Sequence, residues 1–230
     1  IYSKIRNTLI LKKIPTIYFY SSTFNYFFCT IKNKYLNPEN INKRTILNLE
    51  KFYQTKIHKV NYNLNLLEEK YLKESMRLLP DKNYIGFSIT HANPLRKKHW
   101  PLDKFIDLAK KIKNKGKVPI FFVEKNNHEI INQIKLKLPN AIFPEHNSEL
   151  ASPALVTALA SRLERAISID NGIMHMLSLA NIPMILLFGP TKPEKFAPDQ
   201  KNINILDSKK LYKTTDISKI SVDDVMQHII

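Results

Sequence analysis

The chain has 230 residues, 43% hydrophobic and 24% charged, and its 36 basic against 20 acidic side chains leave a formal charge of +16. These proportions exclude a disordered polybasic tail and leave room for one domain of ordinary size plus part of a second. A single cysteine, Cys29, excludes an intrachain disulfide and fits a reducing compartment, and no Cys/His cluster has zinc-ligand spacing. The positive charge is diffuse, with no run of ~5–6 like charges, so a dedicated polyanion surface is the weaker reading. Neither an RNA-binding aromatic motif nor a basic helix supports a nucleic-acid partner.

The first residue is Ile1, and no secretory signal pattern follows it. Ile14 to Ile31 is uncharged between Lys13 and Lys32, close to the ~18 residues of a membrane span. Pro15, Thr16, Ser21, Ser22, Thr23, Asn25 and Thr30 break it up, and its apolar members are mostly Tyr and Phe rather than Leu. We read it as a buried strand and helix of an aromatic-rich domain rather than as a span or an interfacial anchor. Asn42 to Gln54 has a helical pattern, and up to Lys82 the rest is irregular. A domain break is expected at Leu79-Pro80-Asp81, separating residues 1–80 from 81–230.

From Asn83 the pattern changes to short apolar strands alternating with amphipathic helices, which predicts βαβ units and a parallel sheet. Tyr84 to Thr90 reads as a buried strand, and Leu102, Phe105, Leu108, Ala109 and Ile112 recur at helical spacing until Gly116 closes the helix. Strands are expected at Val118 to Val123, Ala141 to Phe143, Ala166 to Ile169 and Met184 to Phe188. The intervening helices carry Ile130, Ile131, Ile134 and Leu138, then Leu155, Val156, Leu159 and Leu163 behind a Ser152 cap with Pro153 at the first helical position, then Gly172 to Ala180. A capped helix from Ser221 to Ile229 ends the series.

In such a sheet, ligands bind beyond the carboxyl ends of the strands, where loops lead into helix N-termini. Three loops there carry the chemistry. Ser168-Ile169-Asp170-Asn171-Gly172-Ile173-Met174-His175 runs from a strand straight into a helix, whose first-turn amides and positive dipole end suit a diphosphate. Gly172 admits close approach, and His175 lies one turn in. The plain alternatives are an N-cap for Asp170 and a packed helix histidine for His175. By its charge Asp170 should avoid a phosphate, which leaves capping or sugar hydroxyls. The loop from Thr90 to Pro101 brings Arg96, Lys97 and Lys98, enough charge to neutralise a diphosphate, with Trp100 as an anchor at the start of the next helix. In the third loop, Leu187-Phe188-Gly189-Pro190-Thr191-Lys192-Pro193, Gly and two prolines fix a turn on which Thr191 offers a hydroxyl or amide.

Lys98-His99-Trp100-Pro101, then Asp170-Asn171-Gly172-Ile173-Met174-His175, then Leu187-Phe188-Gly189-Pro190-Thr191-Lys192-Pro193, in that order, resemble the C-terminal domain of the ADP-heptose:lipopolysaccharide heptosyltransferases, glycosyltransferase family 9. The resemblance runs from about Asn83 to Pro198 and loosely onward. It implies an α/β chain of GT-B type, with a complete C-terminal Rossmann-like donor domain and a truncated N-terminal α/β acceptor domain. It also implies an inverting transferase that needs no metal or other cofactor and moves a heptose-like sugar from ADP-heptose to a lipopolysaccharide core or related glycan. By position, Lys98 contacts the donor phosphates, Asn171 and Gly172 the diphosphate, Asp170 and His175 the sugar or its adjacent phosphate, and Glu129 the ribose hydroxyls. Such an enzyme works in the cytoplasm, peripheral on the anionic inner membrane, where the surplus positive charge assists.

The chain also departs from the family pattern. Asn171 replaces a Ser or Thr, Asn181 replaces a glycine at a helix end, and Glu124-Lys125-Asn126 stand where glycines follow the second strand, which touches the nucleotide-base and ribose contacts. The resemblance implies a general base that is an aspartate early in the N-terminal domain, near a glycine-rich first turn; nothing like that turn precedes Asn83, so the base is expected upstream of Ile1. Nothing marks Asp81 or Glu39 as a base, and no Asp-x-Asp follows a strand, since Asp223-Asp224 lies in the terminal helix. The alternative of another class is a noncatalytic sugar-nucleotide-binding module that keeps the donor fold without the base.

Overall fold

The computed structural model describes residues 2–57, 62–81, 83–90 and 97–229. The chain divides into two compact units, Ile1–Val60 and Asn61–Ile230. The division therefore precedes the expected break at Leu79-Pro80-Asp81. Helix α3 (Glu69–Leu78) packs on α6 (Pro153–Ala160), and Leu79 is fully buried in the second unit's core. Arg162 fixes this stretch by donating to the carbonyls of Leu79 (2.9 Å), Pro80 (2.6 Å) and Asp81 (3.1 Å).

In the first unit, Phe52 of α2 (Ile41–Tyr53) forms a small core with Tyr26 and Cys29, and α1 (Tyr2–Lys12) buries Thr8 against the hydroxyls of Ser21 (3.3 Å) and Thr23 (2.7 Å). Asn48, fully buried, holds that core together by donating to the Tyr26 hydroxyl (2.6 Å) and the Leu36 carbonyl (2.7 Å) while accepting from the Leu36 amide (2.7 Å). The strand and helix expected within Ile14 to Ile31 do not form. The segment is turns and extended chain, and Phe24, Asn25 and Tyr26 all adopt positive φ (49°, 51° and 66°), which no strand or right-handed helix tolerates. Ile14, Ile17, Tyr18, Phe24 and Phe27 are exposed. Among the described residues no helix is long and apolar enough to cross a membrane.

The second unit is a doubly wound α/β layer. Its strands β1 (Tyr84–Ser88), β2 (Val118–Phe122), β3 (Leu163–Ile169), β4 (Met184–Phe188) and β5 (Ile203–Asp207) pair in parallel in the order β2-β1-β3-β4-β5. The inner strands are near-continuous apolar runs because helices cover both faces. Alternation sorts their side chains. Ile85, Phe87 and Ile89 pack with Phe105, Leu108 and Ile112 of α4 (Leu102–Asn114), with Ile131 and Ile134 of α5 (His128–Lys137), and with Val225 of α10 (Val222–Met226). Tyr84, Ile120 and Phe122 face Leu155 and Leu159 of α6, and Met174 and Leu177 of α7 (Gly172–Ser178). Each such side chain contributes about 1.5–3 kcal/mol by leaving water.

Most boundaries follow from local chemistry. Ser152 caps α6 with Pro153 at its first position, Ser221 and Asp224 form a reciprocal capping box on α10, and Gly116 takes φ 76° where α4 ends. Asn181 takes φ 53° just after α7, a left-handed position that Asn accepts. The fifth strand is not the expected Ala141 to Phe143. That segment makes only a single bridge, Ile142 to Ile120, and Pro144 then turns the chain into a 3-10 turn. The fifth strand is β5, an edge strand whose Asn204 and Ile205 are exposed. Two short helices flank it, α8 (Pro193–Phe196) before and α9 (Ser208–Tyr212) after.

Candidate functional site: a buried ion pair at the switch point of the sheet

The chain leaves β1 in one direction to make β2 and returns on its other side to make β3, so the strand order reverses between β1 and β3. The crevice beyond their carboxyl ends is where such sheets bind ligands. Ser88 and Ser168 pair in register at that end, both fully buried.

Asn171 spans the crevice. Its side-chain oxygen accepts from the Met174 amide (2.8 Å), capping α7, and its Nδ2 donates to Ser88 Oγ (2.7 Å) and the Thr90 carbonyl (2.9 Å). A Ser or Thr could serve as the cap, but only the amide adds a donor pair that ties β1 to β3. Asn171 rather than Asp170 is thus the cap, which frees Asp170. The first-turn amides of Gly172 and Ile173, which have no partner within a helix, lie at the same place. Among the described residues, a Cβ built on Gly172 would meet nothing within 4 Å.

Asp170 faces Lys98. The Lys98 ammonium lies 2.5 Å from Asp170 Oδ2, and each side chain is only 8% exposed. The local chain explains the aim: Lys97 takes φ 48°, and from there Lys97 and His99 point outward while Lys98 and Trp100 are buried. Trp100 bolts this stretch down, with its indole donating to the Ile220 carbonyl (2.9 Å) and its ring edge-on to Phe105 at 4.7 Å. The Phe196 ring, its centroid 5.6 Å from the Lys98 nitrogen, adds a cation–π contact. A paired, nearly dry lysine and aspartate are costly to bury and weak as a source of stability. Arg96 of the expected cation group lies outside the described residues.

His175, one turn into α7, is solvent-exposed on one side. Crowding by protein atoms holds its imidazole below the ordinary value, against the opposing pull of Asp170, so the ring is neutral at pH 7. The Thr191 hydroxyl is buried without a partner among the described residues, as is that of Thr90, so two donors are unspent at the carboxyl ends of β4 and β1. Gly189 answers to packing rather than to a ligand, since a Cβ there would lie 2.7 Å from Ile217 Cβ and 2.8 Å from the Thr215 carbonyl. Glu129 stands apart: it is exposed on the first turn of α5 and accepts from Gln133 (3.3 Å), and no contact among the described residues joins it to the Lys98–Asp170 pair.

Sequence reasoning missed Phe196 and Glu145. Phe196 sits three residues after Pro193 on α8, the spacing that turns it inward, and that was its only signal. Glu145, on the 3-10 turn beyond β2, has its carboxyl pushed up to about 7, first by burial and then by the neighbouring Glu124. Its neighbour His146 is fixed by a ring nitrogen 2.9 Å from the Val123 carbonyl and by stacking on Phe143. Among the described residues no group of three His, Cys, Asp or Glu side chains is arranged to hold a metal ion.

A sequence model of glycosyltransferase family 9 (heptosyltransferase) matches residues 12–226. The chain belongs to glycosyltransferase family 9. Lipopolysaccharide heptosyltransferase 2 of Salmonella typhimurium LT2 is 29% identical over 111 residues, covering 44% of this chain and 29% of that protein. Its namesake from Escherichia coli K12 is 26% identical over 141 residues, covering 57% of this chain and 38% of that protein. The matched stretch thus spans well under half the length of these curated relatives. Among solved structures, a glycosyl transferase family 9 protein of Veillonella parvula DSM 2008 superposes with a TM-score of 0.73 at 18% identity, covering 97% of this chain and 69% of that one. E. coli heptosyltransferase WaaC with ADP gives 0.67 at 16% identity, covering 89% and 60%. The fold of this family 9 chain is therefore that of the GT-B type heptosyltransferases.

Proposed function

We propose that this family 9 chain binds a nucleotide-diphosphate sugar, ADP-heptose, at the β1/β3 switch point and passes the heptose to a lipopolysaccharide core or related glycan. The observation that carries the reading is the buried Lys98–Asp170 pair set against the N-terminus of α7, with Asn171 holding the strands on either side. Solved relatives contain ADP and ADP-2-deoxy-2-fluoro heptose, which supports adenine as the donor base.

In the transfer, an acceptor hydroxyl gives up its proton to a general base other than the residues named here and attacks the anomeric carbon from the face opposite the diphosphate, whose C–O bond breaks as the centre inverts. Negative charge develops on the leaving diphosphate. Lys98 and the Gly172 and Ile173 amides meet that charge with donors already in place, which favours the transition state over the ground state. These groups do the work for which a metal ion is used elsewhere. Asp170, repelled by phosphate, keeps Lys98 oriented and offers its second oxygen to a sugar hydroxyl. Neutral His175 and the unspent Thr191 hydroxyl provide hydrogen bonds to the sugar or its adjacent phosphate without adding charge. Glu129 holds the ribose hydroxyls only if the nucleoside extends over the end of β2.

The test is to incubate the protein with ADP-heptose and heptose-acceptor core saccharide, to follow ADP release, and to read the anomeric configuration of the product by NMR, with and without EDTA. Inverted product formed equally in EDTA supports the reading. No ADP release, or transfer from UDP- or GDP-sugars in preference, contradicts it.

A further inference from the structure

A cavity of about 490 Å³ in the second unit lies at the opposite end of the sheet from the Lys98–Asp170 pair. It opens where β2 begins and where α4 and α5 both end. Its floor is apolar, made by Val118, Pro119, Leu138 and Ile142. Its rim is cationic, with Lys110, Lys113, Lys117 and Lys137, and no acidic residue lines it. Basic residues make up 36 of 230 in the chain, about one in six, but four of the twelve lining positions here.

Helix ends explain part of this. Lys113 and Lys137 lie in the last turns of α4 and α5, where the negative dipole end favours cations. Lys117 and Lys137 are also occupied, by Glu164 and Asp103, each at 2.5 Å. Lys110 lies before the last turn of α4, and both Lys110 and Lys113 are exposed and make no ion pair among the described residues. Helix dipoles do not account for an apolar floor between such cations. Nor do they account for Leu136, which is 82% exposed between Lys135 and Lys137 at the same end of α5.

An apolar trough rimmed by ammonium groups, with a bare leucine beside it, is complementary to an acidic lipid: phosphate on the lysines, the adjoining glycerol and acyl segment along the floor. A freely soluble anion would gain nothing from the floor. We infer that this end of the second unit is the surface by which the protein docks on an anionic bilayer leaflet, with one acidic phospholipid headgroup seated in the cavity. The inference is independent of what binds at the β1/β3 crevice.

Co-sedimentation with phosphatidylcholine vesicles, with and without phosphatidylglycerol, tests it at low salt. The protein should bind only the anionic vesicles. Lys110→Gln/Lys113→Gln should weaken that binding roughly 25-fold, at about fivefold per lysine, and Leu136→Ser should weaken it further. The charge-matched control Lys201→Gln/Lys219→Gln, at exposed lysines elsewhere on the unit, should retain most of the binding, and unchanged thermal melting of all three variants verifies folding. Equal losses in test pair and control would reduce the attraction to diffuse charge, and undiminished binding of the test pair would place the contact elsewhere. Calorimetric titration with inorganic phosphate is the remaining arm. Saturable phosphate binding that the test pair abolishes would assign the cavity to a soluble anion and overturn the lipid reading.

Discussion

Replacing Asp170 with alanine leaves the Lys98 ammonium in a site where its side chain is 8% exposed, beside the Phe196 ring and, among the described residues, with no other charged partner. Removing one partner of a buried pair costs about 3–5 kcal/mol, because the remaining charge is neither solvated nor paired. For a unit the size of Asn61–Ile230, each kcal/mol shifts the melting temperature by about 2–4 °C. Asp170→Ala should therefore melt roughly 6–20 °C below the parent chain. Lys98→Met/Asp170→Leu, which replaces both charges with apolar groups of similar size, should recover most of that loss, since such exchanges are often neutral or stabilising. Differential scanning calorimetry with urea unfolding of the three proteins gives the comparison. An unshifted Asp170→Ala, or a double variant as unstable as the single one, would refute the claim that the two groups form a desolvated pair that is weak as a source of stability.

Glu145 makes stability fall as pH rises. Its carboxyl is raised to about 7 in the folded chain from an ordinary 4.5, so between these values the folded state holds a proton that the unfolded state has released. The penalty is absent below 4.5 and complete above 7, where it reaches about 3 kcal/mol. Glu145→Gln should thus gain stability over the parent progressively from pH 5 to pH 8 in urea titrations. Parallel pH curves would show that the carboxyl is solvated, and subtracting the curves removes His175, whose lowered value gives the opposite slope. At Asn171, alanine removes both the cap and the tie to β1 and should cost about 2–3 kcal/mol, whereas serine keeps the cap and should cost about 1 kcal/mol. Equal stability of the serine variant and the parent in the same assay would mean that the bonds to Ser88 and Thr90 carry no weight.

The second unit was legible in the sequence because its signals are local. Met184 to Phe188 is an uninterrupted apolar run, Ser152-Pro153 is a cap followed by its helix, and Asp170-Asn171-Gly172 is a strand end that becomes a helix start. What failed depended on distant partners. Ala141 to Phe143 has strand composition but only one bridge to β2, whereas β5 owes its place to β4, and its exposed Asn204 and Ile205 hide the pattern. The aromatic segment from Ile14 to Ile31 has no periodicity that could have announced three consecutive left-handed residues. At the site, residue types and loops could be read, but the pairing was hidden. Lys98 and Asp170 are 72 positions apart, and only the parallel pairing of β1 with β3 brings their loops together. Glu145 was invisible for the same reason, and Phe196 nearly so, since burial and a neighbouring charge give them their properties.

Titration calorimetry of ADP into the parent chain and into Lys98→Met/Asp170→Leu tests the central claim most directly, because that variant is expected to keep its fold. The account predicts saturable binding to the parent and at least tenfold weaker binding to the variant, the loss expected when a charge-assisted contact to phosphate worth about 1.5–3 kcal/mol is removed. Equal affinity in the two proteins would contradict it and place the diphosphate away from the switch point of the sheet.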